Sequence, residues 1–121
     1  MKRILVVDDS GAIRKAIRRI LEGLSYEVTE AEDGAKALET LLAGTPFVAV
    51  LCDIDMPVMD GLEFLAAVGK RGILAPPIIM CTTHTSFDKI QTALTLGATE
   101  YIMKPFDASI ISSKLETCGV A

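Results

Sequence analysis

Polar side chains stand directly after four short apolar runs of this sequence. They are Asp8 and Asp9, Asp53, Thr82 and Lys104. Each one alone is explained equally well by a turn or by a solvated strand end. Because the carboxyl ends of parallel strands meet at the same edge of a sheet, the joint pattern predicts that these side chains gather at one site.

Three carboxylates in such a site require a counterion. At separations of about 4 to 6 Å, each carboxylate pair repels by roughly 3 to 4 kcal/mol at an effective dielectric constant of about 20. Either a carboxyl group binds a proton or a hard divalent cation lies among them, and an all-oxygen site favours Mg²⁺, with Mn²⁺ as the alternative. A cation beside the Lys104 ammonium and the Thr82 hydroxyl suits a phosphoryl group, for which Asp53 is the natural nucleophile.

The stretch 47–61 must position the central carboxylate. Residues 47–52 are apolar without interruption, which is typical of a central parallel strand covered by helices on both faces. Asp53 and Asp55 come at its carboxyl end. Asp60, with Glu63 three residues later, then predicts a capping box that starts a helix.

Strands and helices are predicted to alternate along the whole chain. We predict strands over residues 4–7, 26–31, 47–52, 78–81 and 101–103, each followed by a helix. Apolar and acidic residues alternate in the second strand, which indicates an edge position. The predicted fold is therefore α/β, a (βα)₅ doubly wound parallel sheet.

The predicted helices carry apolar faces at helical spacing. Ser10 is a plausible N-cap of the first helix. In the second helix, Leu42 is expected to face inward with three other apolar residues. The first helix directs a basic cluster away from its apolar face, where the cluster is either solvated or helps to dock a protein partner; its members are Arg14, Lys15, Arg18 and Arg19.

Composition restricts the class of protein. The 121 residues suffice for one domain, and a formal net charge of −4 argues against general binding to nucleic acid, which requires accumulated Lys and Arg. No apolar run approaches the roughly 20 residues of a membrane span, and the amino terminus does not resemble a signal peptide. We therefore expect a cytoplasmic protein. Its three cysteines lack metal-binding spacing and are expected to be buried, reduced thiols.

Four motifs lie at the spacing of a known family. They are VVDDS at residues 6–10, DIDMPVMDG at 53–61, CTT at 81–83 and GATEYIMKPF at 97–106. With them the chain resembles the receiver domains of two-component response regulators, and its length is similar to that of the stand-alone, CheY-like members. The resemblance implies a flavodoxin-like sheet of strand order 2-1-3-4-5 and a single domain over residues 1–121 with no output domain.

The resemblance also implies a role for each acidic residue. Asp53 would be the phospho-acceptor, taking a phosphoryl group from a histidine kinase or a histidine phosphotransfer protein. Asp9 would bind Mg²⁺ directly, Asp8 mainly through water, and Asp55 through its backbone carbonyl.

Further implied roles concern the switch. Thr82 and Lys104 would contact the phosphoryl oxygens, and the Lys104–Pro105 peptide would be cis. Tyr101 would turn inward as Thr82 moves, which would remodel the face made by helix 4, strand 5 and helix 5 for a downstream protein target. Without the resemblance, Tyr101 is equally well explained as an edge-strand residue that half covers the core. The protein would be a monomer, with phosphorylation-dependent dimerisation as an alternative.

Three residues depart from the commonest pattern of the family. Asp55, Thr83 and His84 flank the expected phosphoryl group and could tune dephosphorylation, although an exposed loop histidine explains His84 as well. The receiver is not expected to be an enzyme, beyond assisting its own phosphorylation and dephosphorylation.

Three alternatives remain open from the sequence. The DxD of Asp53 and Asp55 is similar to that of haloacid-dehalogenase-like phosphatases, but there the other acidic ligands follow the nucleophile, whereas Asp8 and Asp9 precede it. A flavodoxin-like FMN binder would place hydroxyls and glycines in the first loop. A degenerate interaction module without phosphorylation is the third.

Overall fold

Five strands and five helices alternate along the chain. A computed structural model describes residues 2–83 and 87–120. The elements are β1 (Arg3–Val7), α1 (Gly11–Gly23), β2 (Glu27–Ala31), α2 (Gly34–Leu42), β3 (Ala49–Asp53), α3 (Gly61–Lys70), β4 (Ile78–Thr82), α4 (Phe87–Thr95), β5 (Glu100–Met103) and α5 (Ala108–Thr117).

The strands form one parallel sheet in the order β2-β1-β3-β4-β5. The predicted (βα)₅ fold and its strand order are confirmed. β2 lies at the edge, as the alternation of its residues predicts, and its burial is correspondingly mixed. The strand order reverses at β1, because β2 lies on one side of it and β3 on the other. This reversal creates a crevice at the carboxyl ends of β1 and β3, where α/β sheets usually bind ligands.

Two hydrophobic cores lie on the two faces of the sheet. One contains alternate strand residues packed against α2, α3 and α4, with Phe64 fully buried in it. The other contains the intervening strand residues packed against α1 and α5, including Leu21 and Ile111. All five residues of β3 are buried, because helices cover both of its faces. The uninterrupted apolar run of the sequence is explained by this double coverage.

Local differences from the predicted elements are small. β3 begins at Ala49, two residues later than predicted, because its pairing with β1 starts there, and Asp53 is its last residue. Leu42 is 51% exposed, so the expectation that it faces the core is wrong. At about 100° per residue, Leu42 lies roughly 90° from the centre of the face formed by Ala37, Leu38 and Leu41.

The helix starts follow the predicted capping chemistry. The Ser10 hydroxyl accepts a hydrogen bond from the Ile13 amide at 3.2 Å. Asp60 and Glu63 form the complete capping box of α3.

Cys52 and Cys81 are buried free thiols, and burial raises the pKa of Cys81 to about 12, so it is not a nucleophile at neutral pH. Cys118 is half-buried rather than buried.

No helix in ranges 2–83 and 87–120 is both long enough and apolar enough to cross a membrane.

Candidate functional site

The carboxyl ends of four strands bring the predicted site residues to one edge of the sheet. Asp8 and Asp9 follow β1, Asp53 ends β3, Thr82 ends β4 and Lys104 follows β5. Asp53 stands beside Cys81 in the parallel register, and Thr82 stands beside Met103. The side chains therefore project from adjacent strand ends, as expected from the sequence.

Three carboxylates form a compact cluster at this edge. One oxygen each from Asp8, Asp9 and Asp53 lies within 4.8 Å of the other two. Asp8 and Asp53 are buried, whereas Asp9 is exposed. This spacing allows a single cation to contact all three residues, and an all-oxygen donor set suits Mg²⁺.

Lys104 lies against the buried part of the cluster. Its Nζ is 3.2 Å from Asp8 Oδ2 and 3.3 Å from Asp53 Oδ1. Burial opposes the charge on Lys104, but the carboxylates of Asp53 and Asp8 outweigh burial and raise the pKa of the amine. Lys104 is thus protonated at neutral pH and can form an ion pair with an anionic group bound at Asp53.

Asp53 has a raised pKa in this environment. Burial is the largest cause, and the Asp8 carboxylate raises the pKa further, while Lys104 lowers it in part. A divalent cation in the cluster would favour the charged form of Asp53, the form that a nucleophile needs. The donor set therefore fits the cation that the sequence predicts.

The turn that carries Asp8 and Asp9 is held by several hydrogen bonds. The Asp8 amide donates to the Ala31 carbonyl at 3.1 Å, and Asp8 Oδ1 accepts from the Ser10 amide at 2.9 Å. Arg14 Nη1 donates to the Asp8 carbonyl oxygen at 2.7 Å. The expectation that Arg14 points away from the apolar face of α1 into solvent with the rest of the basic cluster is wrong: its side chain is 19% exposed and is also paired with Glu30.

The Arg14 contact could not be found by inspecting the sequence. Its acidic partner Glu30 is 16 residues away, on strand β2. Arg18 also binds Glu30, at 2.7 Å, whereas Lys15 and Arg19 are exposed as predicted.

The side chain of Asp55 does not join the carboxylate cluster. It is 61% exposed and forms an ion pair with Lys89 of α4, with Nζ and Oδ1 2.6 Å apart. Thr83 is exposed directly after β4. His84, the other candidate for tuning dephosphorylation, lies outside the described residues.

The two predicted switch residues occupy neighbouring strands. Thr82 is buried, and its hydroxyl donates to the Thr83 carbonyl oxygen at 3.3 Å. Tyr101 is half-buried against the core beneath α2, α3 and α4, and Lys114 Nζ lies 5.2 Å from the centre of its ring. The Lys104–Pro105 peptide is cis, as the resemblance implies.

Comparison with known families decides the class of this protein. A family model described as the response regulator receiver domain matches residues 4–116. The chain belongs to the response regulator receiver family. It is a signalling domain of two-component systems, and this assignment replaces the phosphatase and FMN-binding alternatives.

Individual receivers resemble the chain over nearly its full length. Chemotaxis protein CheY1 of Helicobacter pylori is 40% identical over 116 residues, which cover 94% of each protein. The crystal structure of CheY4, a chemotaxis protein of Vibrio cholerae, superposes with a TM-score of 0.88 at 37% identity and covers 98% of both chains. The transcriptional regulator NtrC of Escherichia coli is 43% identical over 104 residues, which are 22% of that protein. The receiver thus occurs both as a short chemotaxis protein and within a longer regulator.

Proposed function

We propose that Asp53 is the residue at which this receiver accepts a phosphoryl group. The observation that supports this role is its position: Asp53 ends the central strand, within the carboxylate cluster and 3.3 Å from Lys104 Nζ. The Lys104 ammonium lies where it would balance the charge of phosphoryl oxygens. The Thr82 hydroxyl, at the end of the adjacent strand, would donate a hydrogen bond to the same group.

Asp8, Asp9 and Asp53 are the proposed ligands of Mg²⁺, with Mn²⁺ as a substitute. The backbone carbonyl of Asp55 is a further proposed ligand, which leaves the side chain of that residue free for its ion pair with Lys89. When bound, the cation would offset the repulsion among the carboxylates and neutralise phosphoryl charge. The Asp8–Asp9 turn would orient these ligands, and buried Asp8 would contribute mainly through water.

The proposed output is a change in protein binding at the face formed by α4, β5 and α5. Phosphorylation would shift a pre-existing equilibrium in which Thr82 moves towards the phosphoryl group and Tyr101 turns inward. Exposed apolar side chains on these elements support a protein-binding role; they are Phe87, Leu94, Met103 and Ile110.

The family assignment implies a histidine kinase or phosphotransfer partner and a downstream target. We propose that the phosphodonor docks beside α1, where an apolar groove of about 460 Å³ runs from Ile13 and Ile17 to Phe106 and reaches Lys104. Exposed Lys15 and Arg19 would assist this docking.

We further propose that residues 1–121 act as a monomeric, cytoplasmic receiver domain with no nucleic acid target.

The lifetime of the phosphoryl group is proposed to depend on residues around the site. Asp55, Thr83 and His84 are the candidates. The receiver would itself assist phosphorylation and dephosphorylation through the groups that surround Asp53, without turning over a separate substrate.

Intact-mass spectrometry with acetyl phosphate tests the proposal. We expect one hydroxylamine-labile phosphoryl group on the wild type in the presence of Mg²⁺, and none on Asp53→Asn or without the metal. Asp55→Asn is the matched control, because it removes a nearby carboxylate outside the cluster and should still accept the group. An unmodified wild type under conditions where Mg²⁺ binds would refute the proposed phospho-acceptor.

A further inference from the structure

Arg14 connects three elements next to the proposed metal site. From α1, its Nε donates to Glu30 Oε1 of β2 at 3.0 Å, and its Nη1 donates to the Asp8 carbonyl oxygen at 2.7 Å. Arg14 and Glu30 are each 19% exposed, so the pair is largely shielded from water. Arginine suits this position because its planar fork can bind two acceptors at once in a fixed geometry.

The carbonyl that Arg14 binds has a special place in the chain. It belongs to the peptide unit that joins Asp8 to Asp9, so its direction sets the orientation of both residues. The Asp8 amide is bound to the Ala31 carbonyl oxygen, and Ala31 follows Glu30 in β2. The backbone of Asp8 is therefore tied to the end of β2 twice, once directly and once through Arg14 and Glu30.

We propose that Arg14 is a positioning residue of the metal site: it fixes the Asp8–Asp9 peptide so that both carboxylates face the cation. Arg14 touches no proposed carboxylate ligand atom among the described contacts and acts through the backbone of the two ligand residues. This inference rests on the metal site of the proposed function and adds a residue to it. Groups that orient metal ligands typically change metal affinity by about 10- to 100-fold when they are removed.

The direction in which Mg²⁺ affinity changes when Arg14 is replaced distinguishes positioning from simple electrostatics. Arg14 is a cation near an acidic site, so loss of its charge alone would strengthen Mg²⁺ binding. Loss of positioning would weaken it. Arg18 provides a matched control, because it lies one turn further along α1 and binds the same Glu30, at 2.7 Å, but has no contact with Asp8 among the described residues.

The experiment is a Mg²⁺ titration of the wild type, Arg14→Met, Arg14→Lys and Arg18→Met by isothermal calorimetry. We expect Arg14→Met to weaken Mg²⁺ binding by about tenfold and Arg14→Lys to weaken it less, because lysine retains the charge but not the fork. Arg18→Met should bind Mg²⁺ within about twofold of the wild type, or slightly more tightly. Unchanged or tighter binding by Arg14→Met would overturn the proposal, as would equal weakening in both methionine variants.

A second measurement does not depend on the metal. The Ser10 amide donates to Asp8 Oδ1 at 2.9 Å, so its hydrogen exchange reports the order of the turn. In metal-free protein we expect Arg14→Met, but not Arg18→Met, to accelerate this exchange by about tenfold beyond any change in global stability. Equal exchange in the two variants would refute positioning by Arg14. Absence of Mg²⁺ binding by the wild type would instead refute the metal site itself, and with it the role of Arg14 towards the cation.

Discussion

Asp53, the proposed phospho-acceptor, lowers the stability of the fold when it is ionised. Its pKa is raised by burial and by the Asp8 carboxylate, and Lys104 compensates in part. A carboxyl group with a raised pKa in the folded state stabilises the fold at low pH, and that stability is lost as pH rises through its folded pKa. At neutral pH the ionised Asp53 therefore destabilises the metal-free protein, and a bound cation would offset this destabilisation.

Asp53→Asn should consequently stabilise the metal-free protein at pH 7. We expect a gain on the order of 1 kcal/mol, less than the roughly 3 kcal/mol repulsion of one carboxylate pair, because Lys104 already offsets part of it. The gain should shrink as pH falls towards the ordinary Asp pKa of about 3.9, where the wild-type carboxyl is also neutral. Urea unfolding with EDTA across this pH range measures the effect.

The control is Asp55→Asn, whose ion pair with Lys89 is exposed to solvent and should contribute little to stability. A loss of stability in Asp53→Asn at pH 7 would contradict the electrostatic account of the site.

Val58 holds an unfavourable backbone conformation in the loop that follows β3. Its φ is +67° and its side chain is 82% exposed, so no buried contact compensates for a β-branched residue in the left-handed region. The strained residue lies in the loop between β3 and α3, five positions after Asp53. Strain of this kind concentrates near functional sites.

Replacement of Val58 by asparagine should stabilise the protein by about 1 kcal/mol, because asparagine tolerates this region. Val58→Thr keeps the branched side chain and should leave the free energy of unfolding within about 0.5 kcal/mol of the wild type. Thermal unfolding of both variants compares them directly. Equal stability of the asparagine and threonine variants would mean that the conformation is not strained.

At the scale of elements, α3 packs unusually closely against the end of β3. The Gly61 amide donates to the Ile54 carbonyl oxygen at 2.7 Å. A Cβ atom at Gly61 would clash with the Asp53 carbonyl oxygen and would lie 2.9 Å from Ile54 Cα. Both are backbone atoms that cannot rotate away, so the start of α3 is held in register with the end of β3, which carries the proposed phospho-acceptor.

Gly61→Ala should therefore destabilise the protein by about 1 to 3 kcal/mol and displace Asp53. Gly69→Ala is the control within the same helix, since a Cβ atom there has nothing within 4 Å and alanine should stabilise by about 0.5 to 1 kcal/mol. Chemical denaturation gives both values, and the NMR shifts of Asp53 report its displacement. A neutral Gly61→Ala would show that the close approach relaxes without cost.

At the scale of the molecule, the site joins four strands that are far apart in sequence. Lys104 forms ion pairs with both Asp8 and Asp53 across the sheet edge, and a cation bound there would interact electrostatically with all three residues. Since a ligand that binds only the folded state stabilises it by mass action, the proposed metal should raise global stability.

Mg²⁺ at ten times its dissociation constant should add about 1.4 kcal/mol to the free energy of unfolding. The increment should decrease as pH falls through the raised pKa of Asp53, because a protonated carboxyl is a poor ligand. Thermal unfolding at matched ionic strength, with KCl in place of MgCl₂, measures it. Asp9→Asn should lose most of the increment, and an equal increment in that variant would remove Asp9 from the ligand set.

Local sequence signals determined much of this architecture. The apolar run before Asp53, the capping box of Asp60 and Glu63 and the mixed polarity of β2 each arise from neighbouring residues. The structure has the corresponding buried strand, capping box and edge strand. The gathering of polar side chains from the strand ends at one site was also predictable, because parallel strands present their carboxyl ends at a common edge.

The tertiary structure alone decided which side chains meet across elements. Arg14 reaches Glu30 and the Asp8 carbonyl, Asp55 turns outward to Lys89, and Gly61 allows α3 to approach Asp53. None of these contacts follows from local periodicity. They depend on the crossing geometry of the elements and on differences of a few tenths of an ångström in the spacing between segments remote in sequence, and these are set only when the whole core packs.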